Sequence, residues 1–104
     1  MTKASDRVGL SNGSWFDRAK ARRYSENQEF DGRNFISCVT GSQWDHECLY
    51  LTAGGTWILC QWSQWQGSRT SYEIISADDA ARWFSGQGLT PPKVLREKAA
   101  ALEV

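Results

Sequence analysis

The chain has no net charge, no even set of cysteines and no long apolar run; between Asn34 and Ser68 it has no lysine or arginine. Each absence excludes something. Twelve basic residues stand against twelve acidic ones, which leaves none of the basic excess that a general polyanion binder needs for its phosphate contacts. The same balance removes the charge repulsion that keeps small proteins apart, so self-association is favoured. Three cysteines, Cys38, Cys48 and Cys60, do not make a disulfide framework. They fit a reduced, cytoplasmic compartment. No stretch approaches a membrane span in length, and the polar segment from Met1 to Ser14 lacks the apolar run of a signal peptide. No membrane partner is expected.

What the chain does have is aromatic mass. Its 104 residues include six Trp, four Phe and three Tyr. A chain of this length forms one domain and removes roughly 60–70% of its unfolded surface from water. Each aromatic buries a large area, so the core is well supplied. Six indoles exceed what a small core can hide, and some are expected at the surface.

Residues 1–13 hold few bulky apolar groups and two Gly; they read as a flexible tail. Ser14 and Asp17 stand at capping-box spacing. Trp15, Phe16, Ala19 and Arg23 share a face at helical spacing, so 15–25 reads as a short helix that must dock to persist. Asp31-Gly32 signals a turn, followed by a strand over 34–40. Two strand-like runs, Glu47 to Ala53 and Thr56 to Trp62, flank Gly54-Gly55. Paired glycines between strands signal a hairpin, because tight two-residue turns need positive φ. Residues 70–75 read as a further strand. Ser76 then caps a helix, with Asp79 at the capping-box position and Ala80, Ala81, Trp83 and Phe84 as its apolar side. Gly86 or Gly88 ends it. Past Pro91-Pro92 lies a polar helix, Lys93 to Glu103, with Leu95, Ala99 and Leu102 aligned. The organisation is a tail (1–13), an α+β domain (14–89) and a C-terminal helix (90–104). The domain is expected to be a small antiparallel sheet of three to four strands packed on one or two helices.

A two-residue loop sets the hairpin register, and opposed residues share a face. Leu49, Leu51, Ile58, Cys60 and Trp62 then form the core face. Cys48, Tyr50, Thr52, Trp57, Leu59 and Gln61 form the outer one. A slip of one residue would exchange the assignments.

Asp45-His46-Glu47-Cys48 resembles a cluster of metal ligands, but neighbours in a strand point to opposite faces. Tetrahedral zinc usually takes paired ligand elements, and this register puts Cys60 away from Cys48. No metal is expected, and no cofactor. A Cys48–His46 nucleophile pair is conceivable as a small-molecule or enzyme site, yet thiolate stabilisation would rest on His46 alone. No catalytic residue is assigned. Arg18, Lys20, Arg22 and Arg23 form a basic cluster on the first helix that could grip phosphate; short basic runs of this size are more often solvated helix faces.

Residues 34–68 contain four Trp, four Gln and no Lys or Arg. Aromatic enrichment with charge depletion is the profile of a protein interface. The outer sheet face, with Tyr50, Trp57, Gln61, Trp65 and His46, is the expected contact surface. A non-enzymatic protein-binding module follows, of the inhibitor, antitoxin or accessory-regulator kind, with another protein or a second copy as partner. The alternative is nucleic-acid binding, with aromatics stacking bases and the Arg18–Arg23 cluster holding phosphate.

The segments Thr40-Gly41-Ser42-Gln43-Trp44-Asp45-His46-Glu47, Trp62-Ser63-Gln64-Trp65-Gln66-Gly67-Ser68, Tyr72-Glu73 and Ala80-Ala81-Arg82-Trp83 look like a group of short bacterial proteins of unknown function. The resemblance spans residues 30–88, and the Trp-Ser-Gln-Trp-Gln-Gly string is its specific part. It implies a bacterial, cytoplasmic setting. It carries over no functional residues. The triplet Ser-Gln-Trp, at 42–44 and again at 63–65, is too short to count as an internal repeat.

Overall fold

The computed structural model describes residues 6–101 and 103. The expected α+β class is what it shows. A central antiparallel sheet runs in the order β3 (Arg22–Ser25), β6 (Asp45–Leu51), β7 (Trp57–Ser63), β8 (Ser71–Ile75). Two small hairpins flank it: β1 (Arg7–Gly9) with β2 (Trp15–Asp17), and β4 (Gln28–Phe30) with β5 (Phe35–Ser37). Helix α1 (Ala77–Gly86) follows β8. A 3₁₀ turn, Lys93–Leu95, leads into the short α2 (Arg96–Ala100).

The sheet has two apolar faces. One packs on the helices: Leu49 and Trp57 are buried with Ala80, Ala81 and Phe84 of α1 and with Leu95. The other packs on the first hairpin: Ile58 is buried with Val8 and Phe16, flanked by Tyr50 and Tyr72. No helix among the described residues is long and apolar enough to cross a membrane.

Helix α1 forms where its capping signals put it. The Ser76 hydroxyl accepts the Asp79 N–H at 3.1 Å. At the other end Leu89 N–H reaches Phe84 O at 3.0 Å and Gly88 N–H reaches Ser85 O at 3.2 Å. That double closure needs a left-handed residue, and Gly88 supplies it at φ 72°. Ser76→Ala should therefore cost about 1 kcal/mol, read as a lower urea midpoint at unchanged slope. The tail helix docks as its apolar stripe suggests: Leu95 is buried and Ala99 packs beside it, while Lys98 pairs with Asp78 at 3.0 Å. Leu102 lies outside the described residues.

The first third of the chain differs from expectation. Residues 15–25 form no helix. The chain turns back after Asp17, whose carbonyl accepts both the Lys20 and Ala21 N–H at 3.1 Å. The Asp17 carboxylate accepts the Ala19 N–H at 2.9 Å, so the would-be capping acid closes a turn instead. Trp15 exposed and Phe16 buried is strand alternation, fixed by the pairing of Phe16 with Val8. That pairing also orders residues 7–9 of the expected tail. Tertiary burial overrides a marginal helix signal here. The strand expected over 34–40 is shorter, Phe35–Ser37. Gly41 closes a turn on Ser37 O at 2.9 Å and ends it.

The second difference is the hairpin register. Thr52 N–H bonds Thr56 O at 2.9 Å and Gly55 N–H bonds Thr52 O at 2.9 Å. The loop is thus three residues, Ala53 to Gly55. Of the two glycines only Gly55 has positive φ, at 86°: a type I turn closed by one left-handed residue, the usual three-residue solution. The expected register slips by one. Leu51 faces Trp57, Tyr50 faces Ile58, Leu49 faces Leu59, Cys48 faces Cys60, Glu47 faces Gln61 and His46 faces Trp62. All of β7 changes sides relative to β6.

Candidate functional site

The corrected register disperses the expected outer face. Trp57, placed there from sequence, is 5% exposed and lies in the helix-side core beside Tyr24 and Phe84. Tyr50 is half-buried on the opposite side, against Phe16 at 5.5 Å between ring centres. Gln61 is exposed on the helix side, donating to Glu47 at 2.8 Å, whose other oxygen accepts the Trp83 indole N–H at 3.1 Å. Trp65 lies beyond the end of β7 and is 58% exposed. His46 is 3% exposed. Its Nδ1 meets a Glu26 oxygen at 2.6 Å and its Nε2 meets Gln43 O at 3.0 Å. Both ring nitrogens are occupied, which leaves no free base for chemistry with Cys48.

What does assemble is an aromatic edge where β6 begins and β7 ends. The pairing continues one step past the strands, with Gln64 N–H on Trp44 O at 2.9 Å. Trp44 and Trp65 then stack at 4.8 Å between centres and 37° between planes. Trp44 is 38% exposed. Both indoles are placed by the same local device: the Trp44 N–H bonds the Ser42 hydroxyl at 3.0 Å, and the Trp65 N–H bonds the Ser63 hydroxyl at 3.2 Å. The two Ser-Gln-Trp triplets therefore share one local hydrogen bond, from the Trp backbone N–H to the Ser hydroxyl two residues before it. They were the signal for this site, and it lay in the offset between each serine and its tryptophan.

Next to the stacked pair is a cleft of about 270 Å³. Trp44, Trp62 and Phe35 form its apolar wall, and Gln28, Asn34, Gln43 and Gln64 supply amides. Trp62 is fixed by its ring contact with His46 at 4.5 Å. Phe35 and Phe30, both exposed, stack at 5.1 Å and extend the surface along the β4–β5 hairpin. That hairpin turns at Asp31-Gly32 as its sequence signals. Asp31 accepts the Arg33 and Asn34 N–H at 2.8 Å. The Asn34 and Arg33 amides hold the Asp31 carboxyl below its usual range.

The basic residues do not form one face. Arg22 and Arg23 are adjacent on β3 and point to opposite sides of the sheet. Arg23 stands diagonal to Cys48 on the Tyr50 side of the sheet, and the Arg18 charge near Tyr72 opposes the upward push of burial on its phenol. Arg22 pairs with Leu51, at the far end of the seven-residue β6 from the aromatic edge, about 20 Å away along the strand. No group of three or more His, Cys, Asp or Glu among the described residues could hold a metal ion. A second, more apolar hollow of about 350 Å³ lies between Trp15, Phe16 and the β6–β7 turn. Compared with known families, curated proteins and solved structures, the chain matches none.

Proposed function

We propose that the chain is a small non-enzymatic protein-binding module that docks its partner on the Trp44–Trp65 edge. One observation carries this: two indoles stacked on each other and exposed, at a surface whose neighbouring amides carry no charge. An exposed Trp supplies a large rigid contact area at low entropic cost. Rings that are already stacked lose little further freedom on binding. Uncharged amides at the edge can pair with a partner's backbone without the desolvation penalty of a buried charge. The site differs from the face expected from sequence, while the class of function is the same: an inhibitor, antitoxin or accessory regulator. A bacterial, cytoplasmic setting goes with it, supported by the odd cysteine count and the Trp-Ser-Gln-Trp-Gln-Gly resemblance.

The distance between the aromatic edge and Arg22 weighs against nucleic acid, because stacking and phosphate contacts would not fall on one strand of a short ligand. The occupied ring nitrogens of His46 weigh against an enzyme.

The test is affinity purification from the native host with the wild-type chain and with Trp65→Ala, each with and without nuclease. A nuclease-resistant protein partner is expected, with binding weakened about thirtyfold by Trp65→Ala, as for a hot-spot residue. A second copy as partner would appear as a concentration-dependent mass that Trp65→Ala abolishes. Release of the partner by nuclease would overturn the proposal, and so would equal retention by Trp65→Ala and Trp44→Ala.

A further inference from the structure

The corrected register creates a juxtaposition that the sequence pattern had ruled out. Cys48 on β6 and Cys60 on β7 are directly opposed on one face of the sheet. They are 1% and 4% exposed, and both are free thiols. Opposed residues on antiparallel strands have Cα atoms about 4.5–5.5 Å apart, inside the range of about 4.4–6.8 Å that a disulfide spans.

The row continues on both sides. Tyr72 of β8 lies opposite Cys60. On β3, Ser25 lies opposite Cys48 and Arg23 stands diagonal to it, opposite Tyr50. A diagonal neighbour is within reach of a long side chain, and Arg23 is itself exposed. Polar groups therefore cross the sheet in the order Arg23, Cys48, Cys60, Tyr72.

From this geometry we infer that Cys48 and Cys60 are a peroxide-oxidisable pair, in which Cys48 is the attacked sulfur and Cys60 the resolving one. The asymmetry comes from the neighbours. The Cys60 thiol and the Arg23 guanidinium beside Cys48 lower its pKa against the opposing effects of burial and of the Glu26 charge. The neighbouring Cys48 and burial raise that of Cys60. With a guanidinium diagonal to Cys48 and a phenol opposite Cys60, negative charge is better held on the Cys48 sulfur, which makes it the better nucleophile. The oxidant is a hydroperoxide. In the first step the Cys48 thiolate attacks one peroxide oxygen. A sulfenic acid forms, the O–O bond breaks, and hydroxide or alkoxide leaves. In the second step Cys60 loses its proton and attacks the Cys48 sulfur. The S–S bond forms, the S–O bond breaks and water leaves. Two thiols are oxidised by two electrons, and one peroxide is reduced. The product cross-links β6 to β7 and removes the negative partner of Arg23.

Cys38 is the internal control. It is half-buried beyond β5, and burial together with the Glu29 and Glu26 charges pushes its thiol up. One equivalent of hydrogen peroxide added to the folded wild-type chain should lower the alkylatable thiols from three to one. Peptide mass spectrometry should map a Cys48–Cys60 bond, with Cys38 still alkylated. Cys60→Ser should stop at a dimedone-trappable sulfenic acid on Cys48, and Cys48→Ser should give no adduct on Cys60 in the same time. Three thiols left in the wild-type chain would overturn the inference, as would Cys38 reacting first. The wild-type mapping needs no variant, so it stands even where a serine substitution unfolds the sheet. It also leaves the Trp44–Trp65 edge untouched, so either proposal can fail alone.

Discussion

Replacing Glu26 by Ala should destabilise the fold by about 3–5 kcal/mol, because it leaves four donors around a buried carboxylate without their acceptor. Glu26 follows β3 directly, and its carboxylate accepts from four donors on three other strands. One oxygen takes the Ser37 hydroxyl at 2.9 Å and the Glu47 N–H at 2.6 Å. The other takes the Gln28 amide at 2.9 Å and His46 Nδ1 at 2.6 Å. The His46 and Glu26 side chains are 3% and 4% exposed, so water cannot replace the lost acceptor. The carboxylate ties the β4–β5 hairpin to the central sheet. Out of the roughly 5–15 kcal/mol that holds such a domain together, a loss of this size leaves a marginal or unfolded chain. Urea denaturation followed by circular dichroism measures it. A variant within about 1 kcal/mol of wild type would show the carboxylate to be dispensable.

The same group sets a pH dependence. Burial pushes the Glu26 carboxyl up, but the hydrogen bonds from Glu47, Gln28, His46 and Ser37 outweigh it, and the net shift is downward. A carboxyl whose folded value lies below its unfolded value stabilises the fold above the unfolded value, which is about 4.3. That contribution is lost as the pH falls through the folded value. The urea midpoint of the wild-type chain should therefore drop below about pH 4, and Glu26→Gln should flatten the drop.

The second large effect belongs to Trp57. Read from the sequence, Trp57→Ala would weaken partner binding and spare the fold. In the structure the indole is 5% exposed and fills the space between Tyr24, at 5.7 Å, and Phe84, at 6.2 Å between ring centres. Truncation should cost about 3–5 kcal/mol of stability through lost burial and the cavity left behind. Trp65→Ala, on an exposed ring, should leave stability within about 0.5 kcal/mol. The pair of variants separates the two roles: Trp57→Ala lowers the melting midpoint, and Trp65→Ala lowers only affinity. A stable, folded Trp57→Ala chain that fails to bind would restore the original assignment.

How much was legible followed from how local each signal was. The Ser76 cap, the Asp31-Gly32 turn, the β8 strand and the α1 terminus near Gly86 or Gly88 are each decided within a few residues. Each formed where its residues put it. The hairpin was legible, but its loop was not, because paired glycines satisfy a two-residue and a three-residue turn alike. The choice fell to the backbone bond from Gly55 to Thr52. One residue of slip then moved Trp57 into the core and brought Cys60 across to Cys48. The first helix failed for a different reason. Trp15 and Phe16 are compatible with helix or strand, and the partner that decided it, Val8, sat in a segment that looked too polar to matter. Trp65 was recognised as exposed, but its companion Trp44 was not. Their meeting depends on pairing that continues past the strand ends, which no periodicity reports.

The loop from Ala53 to Gly55 also bears on how this sequence can drift. A point change in β7 alters one contact. Losing or gaining a single codon in the loop would turn the whole strand over, moving Trp57 and Leu59 from the helix layer to the hairpin layer and Ile58 and Cys60 the opposite way. Descendants of this chain can vary what stands in that loop far more freely than how many residues stand there.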